Sequence, residues 1–167
     1  NISKENRLFG QDGAFEINPI KYIKLNQNGE ELQEDAKWED GLRLIRDENT
    51  GLIWEVKSPL KEDINYYNDK YNFEEMNSKY IAKLNEMNYC GRSDWRVPNK
   101  DELRSILNYS KVNPAIDLEY FPNTVSGFYW TNAEYKMQDY FGWVISFGLG
   151  GATANSKNSK RVVRAVA

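Results

Sequence analysis

The chain has 167 residues, of which 40% are hydrophobic, 28% charged and 14% aromatic, proportions of a folded globular chain rather than a disordered one. Its net charge of −3 gives no global attraction to nucleic acid or anionic lipid, and no apolar run is long enough to span a bilayer. It has no histidine and a single cysteine, Cys90, which removes the commonest neutral-pH base, an internal disulfide and a cysteine-rich zinc site.

Residues 1–19 are polar and punctuated by Gly10, Gly13 and Pro19. They read as an N-terminal extension packed on one domain spanning 1–167, without a signal-peptide pattern. Ile20 to Leu25 is a β-type run ended by the turn-prone Asn26-Gln27-Asn28-Gly29. An acidic stretch from Glu30 to Asp40 reads as a surface loop. Leu42 to Arg46 and Leu52 to Val56 then form a hairpin across Asp47 to Gly51, where glycine supplies the positive φ of a tight turn. Trp54 at the end of this turn-and-strand segment reads as a core residue.

A polar connection over 57–71 leads to a predicted helix from Phe73 to Met87. Phe73, Met76, Tyr80, Leu84 and Met87 fall on one face, and Asn72 with Glu75 fits a reciprocal N-terminal cap. Gly91 to Pro98 follows. Here Asp94 and Arg96 flank Trp95, and a carboxylate–guanidinium pair bonded also to backbone would lock the connection. Cys90 reads as a small buried hydrophobe. A second helix starts at Asn99, with Glu102 three residues on and Leu103, Ile106 and Leu107 as its apolar stripe. After an irregular stretch to Gly127, strands are expected at Phe128–Ala133, Gly142–Phe147 and Arg161–Val166. Trp143, Ile145 and Phe147 put the bulk of the middle strand on one face.

Two polar segments lie between these strands, 134–141 and 148–160. Loops held by a sheet commonly carry function, and Tyr, Asn and Ser suit contact surfaces. No acidic residue follows Asp139, whereas Lys157, Lys160, Arg161 and Arg164 do. That basic tail reads either as an anion site or as a solvated strand end with a polar loop.

The ordered segments resemble one family. Gly10-Gln11-Asp12, Arg46-Asp47 and Thr50 to Glu55 resemble its N-terminal half. Leu84-Asn85, Cys90-Gly91, Ser93 to Asn99 and Glu102-Leu103 resemble its central signature. Tyr129-Trp130-Thr131, Trp143-Val144, Phe147-Gly148 and Arg161 to Val166 resemble its end. The set is similar to the C-terminal domain of collagen-like bacterial adhesins, the Lcl C-terminal domain family. Val97 stands where that family usually has leucine, Ala165 where it has cysteine or alanine, and the second cysteine of many members is missing. The resemblance implies an α+β fold related to C-type lectins and formylglycine-generating enzymes, with two main helices packed on a twisted antiparallel sheet. In that scaffold Trp54, Asp94, Trp95, Arg96, Trp130 and Arg164 would be structural.

The resemblance also implies a bacterial envelope or secreted protein (extracellular, cell-surface or periplasmic), and some adhesins of the family bind sulfated polysaccharide. Tyr129-Trp130-Thr131-Asn132 is similar to the calcium-binding Trp-Asn-Asp of lectins. Ala133 stands in place of its carboxylate, so no lectin-type calcium site is expected; no residue is assigned to a metal and no cofactor is expected, while calcium held elsewhere by oxygens stays open. The expected function is non-catalytic recognition of a glycan or protein, with an anionic polysaccharide among the candidates. The contacts would be Tyr135, Lys136, Gln138, Tyr140, Trp143, Asn155, Lys157 and Lys160, with Trp143 or Tyr140 as an aromatic platform. The alternative is a structural domain that forms homo-oligomers or docks onto other domains. A third reading is an oxidase of the formylglycine-generating type. Those enzymes hold copper with paired cysteines, and this chain has one, so no enzymatic activity is expected.

Overall fold

The computed structural model describes residues 21–167. The extension expected over 1–19, with Ile20 of the first predicted strand, lies outside the described residues. Strands β1 (Tyr22–Leu25), β2 (Leu44–Asp47) and β3 (Ile53–Glu55) form one antiparallel sheet in that order. Strands β4 (Phe128–Glu134), β5 (Phe141–Ser146) and β6 (Ala152–Ser156) form a second. Between them in sequence come helix α1, made of Met76–Ile81 in π geometry continued by Ala82–Glu86, and helix α2, Lys100–Ser105. The class is α+β, with two three-stranded sheets among the described residues where a single sheet was expected. No helix of the described residues is long and apolar enough to cross a membrane.

Local signals form the elements they predict. Asn72 and Glu75 exchange side-chain and backbone hydrogen bonds of 2.9 and 3.0 Å ahead of α1. Asn99 and Glu102 do the same at 2.8 and 2.9 Å ahead of α2, each exchange satisfying two otherwise orphaned donors. Gly51 turns the β2–β3 hairpin with φ 76°. Met76, Tyr80 and Leu84 are buried on one face of α1, but Met87, expected on that stripe, is exposed beyond its end. The stretch 30–40 is on the surface apart from buried Ala36 and includes a short 3-10 turn, Trp38–Asp40.

Strand alternation divides the interior into two apolar clusters. Ile45, Trp54, Tyr129, Ile145 and Phe147 point into one, with Leu103, Ile106 and Leu107 from around α2. Leu44, Ile53, Trp130 and Val144 point into the other, with Met76, Tyr80 and Leu84 from α1. Both faces of β5 are therefore covered, whereas its sequence pattern suggested one.

The last residues join the two sheets. Instead of the expected strand over Arg161–Val166, the segment makes isolated bridges to both sides. Val162 pairs with Tyr129, and Val166 pairs with Trp54 and Arg96. Ile53 and Ala167 exchange two backbone bonds of 2.8 Å, and the Glu55 N–H donates to Ala165 O at 3.2 Å. The bond that would complete this ladder is replaced by side chains. The Ala165 N–H donates to Glu55 Oε2 at 2.7 Å, and Arg164 Nη1 donates to Glu55 O at 2.9 Å. Arg164 is fully buried against Phe121 and Tyr129, and its Nη2 donates to Thr124 Oγ1 at 2.8 Å.

Glu55 completes the junction. Its Oε2 also accepts the Tyr80 hydroxyl proton, and its Oε1 lies 3.1 Å from Lys57 Nζ in an ion pair without hydrogen-bond geometry. Lys57 Nζ donates to Tyr80 Oη at 3.0 Å. The carboxylate thus faces the Lys57 ammonium in a place without water access, while the Arg164 guanidinium meets the Glu55 backbone carbonyl. Burial pulls Lys57 down to about 8, against the opposing attraction of Glu55, and Arg164 lowers it further.

The Trp95 connection is held differently from expectation. Asp94 does not meet Arg96. Arg92 reaches Asp94 at 2.9 and 3.0 Å, and Arg96 reaches Glu102 at 2.6 and 2.7 Å. Both pairs are exposed, with no carboxylate–guanidinium lock across Trp95. Asn85 clamps the Trp95 backbone from both sides at 2.8 and 2.9 Å, and the indole N–H donates to Tyr89 O at 3.0 Å.

Glu55→Gln should therefore leave the buried Lys57 without its anion and cost on the order of 3–5 kcal/mol. Arg92→Ala at the exposed pair should cost less than about 1 kcal/mol. Urea denaturation measures both, and a Glu55 variant as mild as the Arg92 variant would contradict the assignment.

The pH dependence follows from the same groups. Lys57 titrates at about 8 when folded and at about 10.4 when unfolded. Between those values the unfolded chain holds the extra proton, so stability rises with pH across that window. Tyr80 and Tyr71 are raised by burial, Tyr71 to about 12, so above about pH 10 the unfolded chain loses protons first and stability falls. At the acid end Glu75, held down to about 2 by the Asn72 backbone, Lys160 and Lys79, contributes stability that is lost as pH falls from about 4.3 toward 2. Thermal unfolding scanned over pH should show a maximum near pH 10, and Lys57→Met should remove the rise above pH 8.

Candidate functional site

The hairpin β4–β5 and its turn carry most of the expected contact residues. Tyr135 N donates to Phe141 O at 2.9 Å, closing the turn 135–140. Lys136, Gln138, Asp139 and Tyr140 are exposed on it. Met137 and Tyr140 project furthest, at 79% and 80% exposure.

Below the turn lies an aromatic platform. Phe141 and Trp143 alternate with Gly142 and so share one face of β5. The Tyr135 ring stands edge-on to both, 5.4 Å from Trp143 and 6.3 Å from Phe141. Lys100 Nζ sits 4.1 Å above the Trp143 ring and has no ion pair among the described residues. A bulge places it there. The β4–β5 register shifts between Trp130 and Glu134, and the freed Asn132 N–H donates to Pro98 O at 2.9 Å. That bond draws the start of α2 onto the sheet. Thr131 Oγ1 donates to Trp143 O at 2.9 Å and closes the gap left by the bulge.

The opposite face of the hairpin is structural. A Cβ at Gly142 would fall 2.7 Å from the Phe73 ring, so glycine is needed for Phe73 to stand edge-on to Trp130 at 5.4 Å. Lys157 lies over Phe73 at 4.9 Å and 3.4 Å from Glu134 Oε1. Lys160 is paired with Glu75, which also binds Lys79 at 2.7 Å. Asn155 Oδ1 accepts from Arg161 Nε at 2.6 Å.

The eight residues singled out in the sequence thus fall into three groups. Tyr135 and Trp143 meet in the platform. Lys136, Gln138 and Tyr140 lie on the adjoining turn. Asn155, Lys157 and Lys160 lie behind the sheet in intramolecular contacts, and Asn155 belongs to strand β6 rather than to a loop over 148–160. The basic tail shows no free charge cluster, because Arg164 is buried and Lys157, Lys160 and Arg161 each have a partner. Lys100, Met137 and Phe141 were missed in the sequence; the only signal for Lys100 was its place one residue after a helix cap.

Trp54, Trp95, Trp130 and Arg164 are all buried. Cys90 is half-buried rather than buried, in the left-handed region at φ 53°. Burial pushes its thiol up to about 11, so at neutral pH it is protonated and a poor nucleophile.

Comparison with known proteins adds one finding. The comparison with curated proteins gave no match. The model of the Lcl C-terminal domain matches residues 43–167, which include strands β2 to β6, both helices and the joining C-terminal segment. The chain belongs to the Lcl C-terminal domain family.

Proposed function

We propose that this chain is a non-catalytic recognition domain of a bacterial envelope or secreted protein, binding a glycan or protein through the β4–β5 hairpin. The observation that carries the reading is the platform of Tyr135, Phe141 and Trp143 beneath the unpaired ammonium of Lys100. Rigid aromatics give contact area at low entropic cost, and a sheet buried on both faces fixes them in place. A cation beside them suits an acidic or sulfated group, which keeps an anionic polysaccharide among the candidate ligands. Membership in the family supports the surface location. Helices against antiparallel sheets, joined by long connections, support a relation to the C-type-lectin-like and formylglycine-generating folds. The protonated Cys90 supports a role without catalysis.

A second reading has its own observation. At the other end of the second sheet Tyr109, Val112 and Leu149 are exposed together with the loop around Gly150, whose backbone packs on Tyr109. Contiguous apolar exposure marks interaction surfaces, which favours a domain that self-associates. Sedimentation at micromolar concentration separates the readings: self-association abolished by Leu149→Lys supports the second, and a monomer removes it.

Binding on a glycan array and in pull-downs from surface extracts tests the first reading. Lys100→Ala and Trp143→Ala should each weaken binding by about tenfold, roughly 1.4 kcal/mol, with the fold intact by circular dichroism. Lys160→Ala should leave binding unchanged. Ligands that bind both platform variants as well as the wild type would refute the assignment.

A further inference from the structure

A large cleft shares no residue with the hairpin. Its volume is about 620 Å³, within the range of small-molecule sites. The turn after β1 supplies Gln27 and Asn28, the polar connection after β3 supplies Leu60 and Glu62 to Asn65, and the end of α1 with the turn after it supplies Lys83 and Met87 to Gly91. Trp38 and Arg43 close its remaining side.

Its walls differ in chemistry. Leu60 and Met87 are 47% and 48% exposed, and with Ile64 they give the cleft an aliphatic lining. Opposite them Arg43 is fixed as a plane. Its Nη1 donates to Trp38 O at 2.9 Å and to Leu42 O at 2.8 Å, and its guanidinium stacks 3.6 Å from the Trp38 ring. Its Nε and Nη2 make no hydrogen bond among the described residues. A guanidinium with its plane set and two donors unused is preorganised for an oxygen acceptor. The other charged groups are engaged or at the rim. Asp63 accepts from Ser58 Oγ at 2.5 Å, Lys83 lies 3.8 Å from Glu86, and Glu62 is exposed.

We propose that this cleft is a binding site for a small amphipathic carboxylate, its acyl or aryl body against Leu60, Ile64 and Met87 and its carboxylate on Arg43. A protein partner would need a far larger surface than one cleft of this size offers. The site is independent of the hairpin reading, since no residue is shared between them.

The single cysteine of the chain reports on occupancy, because Cys90 lines the cleft and the charge of Arg43 acts on its thiol. Alkylation of Cys90 by N-ethylmaleimide is timed against increasing octanoate, 4-phenylbutyrate and the neutral control 1-octanol. The carboxylates should slow alkylation saturably, by about tenfold at ten times their Kd if only the free protein reacts, and 1-octanol should do so far less. Arg43→Gln should abolish the difference between octanoate and octanol. Leu60→Ser, on the opposite wall, should weaken protection by both while leaving the guanidinium in place. Amide NMR shifts in the wild type should centre on Asn65, Met87 and Cys90. The proposal is overturned if neither carboxylate protects, if octanol protects equally, or if the shifts centre elsewhere.

Discussion

The junction of Glu55 with Arg164 and Ala165 is the interaction on which the rest of the structure depends. A regular antiparallel ladder would return the Ala165 N–H to the Glu55 carbonyl. Here the Glu55 carboxylate takes that N–H, and the Arg164 guanidinium takes the carbonyl. The exchange lets one short segment serve two sheets, because the chain need not follow either for its full length. Val162 and Val166 face one apolar cluster, and Val163 and Ala165 face the other. The two sheets and two helices thus close around a single covalent strap. The arrangement is demanding, since buried ions contribute specificity only when each is compensated. Tyr80 and Lys57 compensate the Glu55 carboxylate from α1 and from the chain after β3, and Arg164 is held by the Glu55 carbonyl and Thr124.

This constraint reaches the surface through the second sheet. β4 is held at Trp130, whose N–H donates to Val162 O at 3.0 Å and whose indole donates to Tyr71 O at 2.8 Å. With that end fixed, the bulge beyond Trp130 is free to bind Pro98 and seat Lys100 over Trp143. The platform is a product of the scaffold, not of the turn that borders it. The cleft beside Arg43 has a comparable origin: Asn65 Nδ2 bonds both Val56 O and Tyr89 Oη, tying the connection after β3 to the turn after α1.

What could be read in the sequence was local or large. Each helix cap spans four residues and the Gly51 turn five, so their partners sit within one window. Trp54, Trp95 and Trp130 are too large to be accommodated anywhere but the core or a site, and their order along the chain carried the family resemblance. What could not be read depends on distant partners. Strand β6 is Ala-Thr-Ala-Asn-Ser, an edge strand with no bulky apolar alternation, and so it looked like loop. Asp94 and Arg96 were misread for a different reason, since Asp94 pairs with nearby Arg92 and Arg96 with Glu102 at the start of α2, and residue types alone do not rank such neighbours. Glu55 and Lys57 looked like ordinary polar residues at a strand end, because nothing local shows that Arg164 will arrive more than a hundred positions later. The same holds for the site: Trp143 and Tyr135 were visible as aromatics, but the cation above them is set by a bulge, and the basic residues of 157–160 are spent on Glu75 and Glu134.

Native-state hydrogen exchange tests the central claim most directly, because it measures whether the two sheets open together or apart. The amides of Ile53, Glu55, Ala165 and Ala167 report on the first sheet and the strap, and those of Trp130 and Val162 on the second. If the junction joins them, all six exchange with one opening free energy, equal to that of global unfolding. Exchange of Trp130 and Val162 through a separate opening of lower energy, while Ile53 and Glu55 stay protected, would contradict the account.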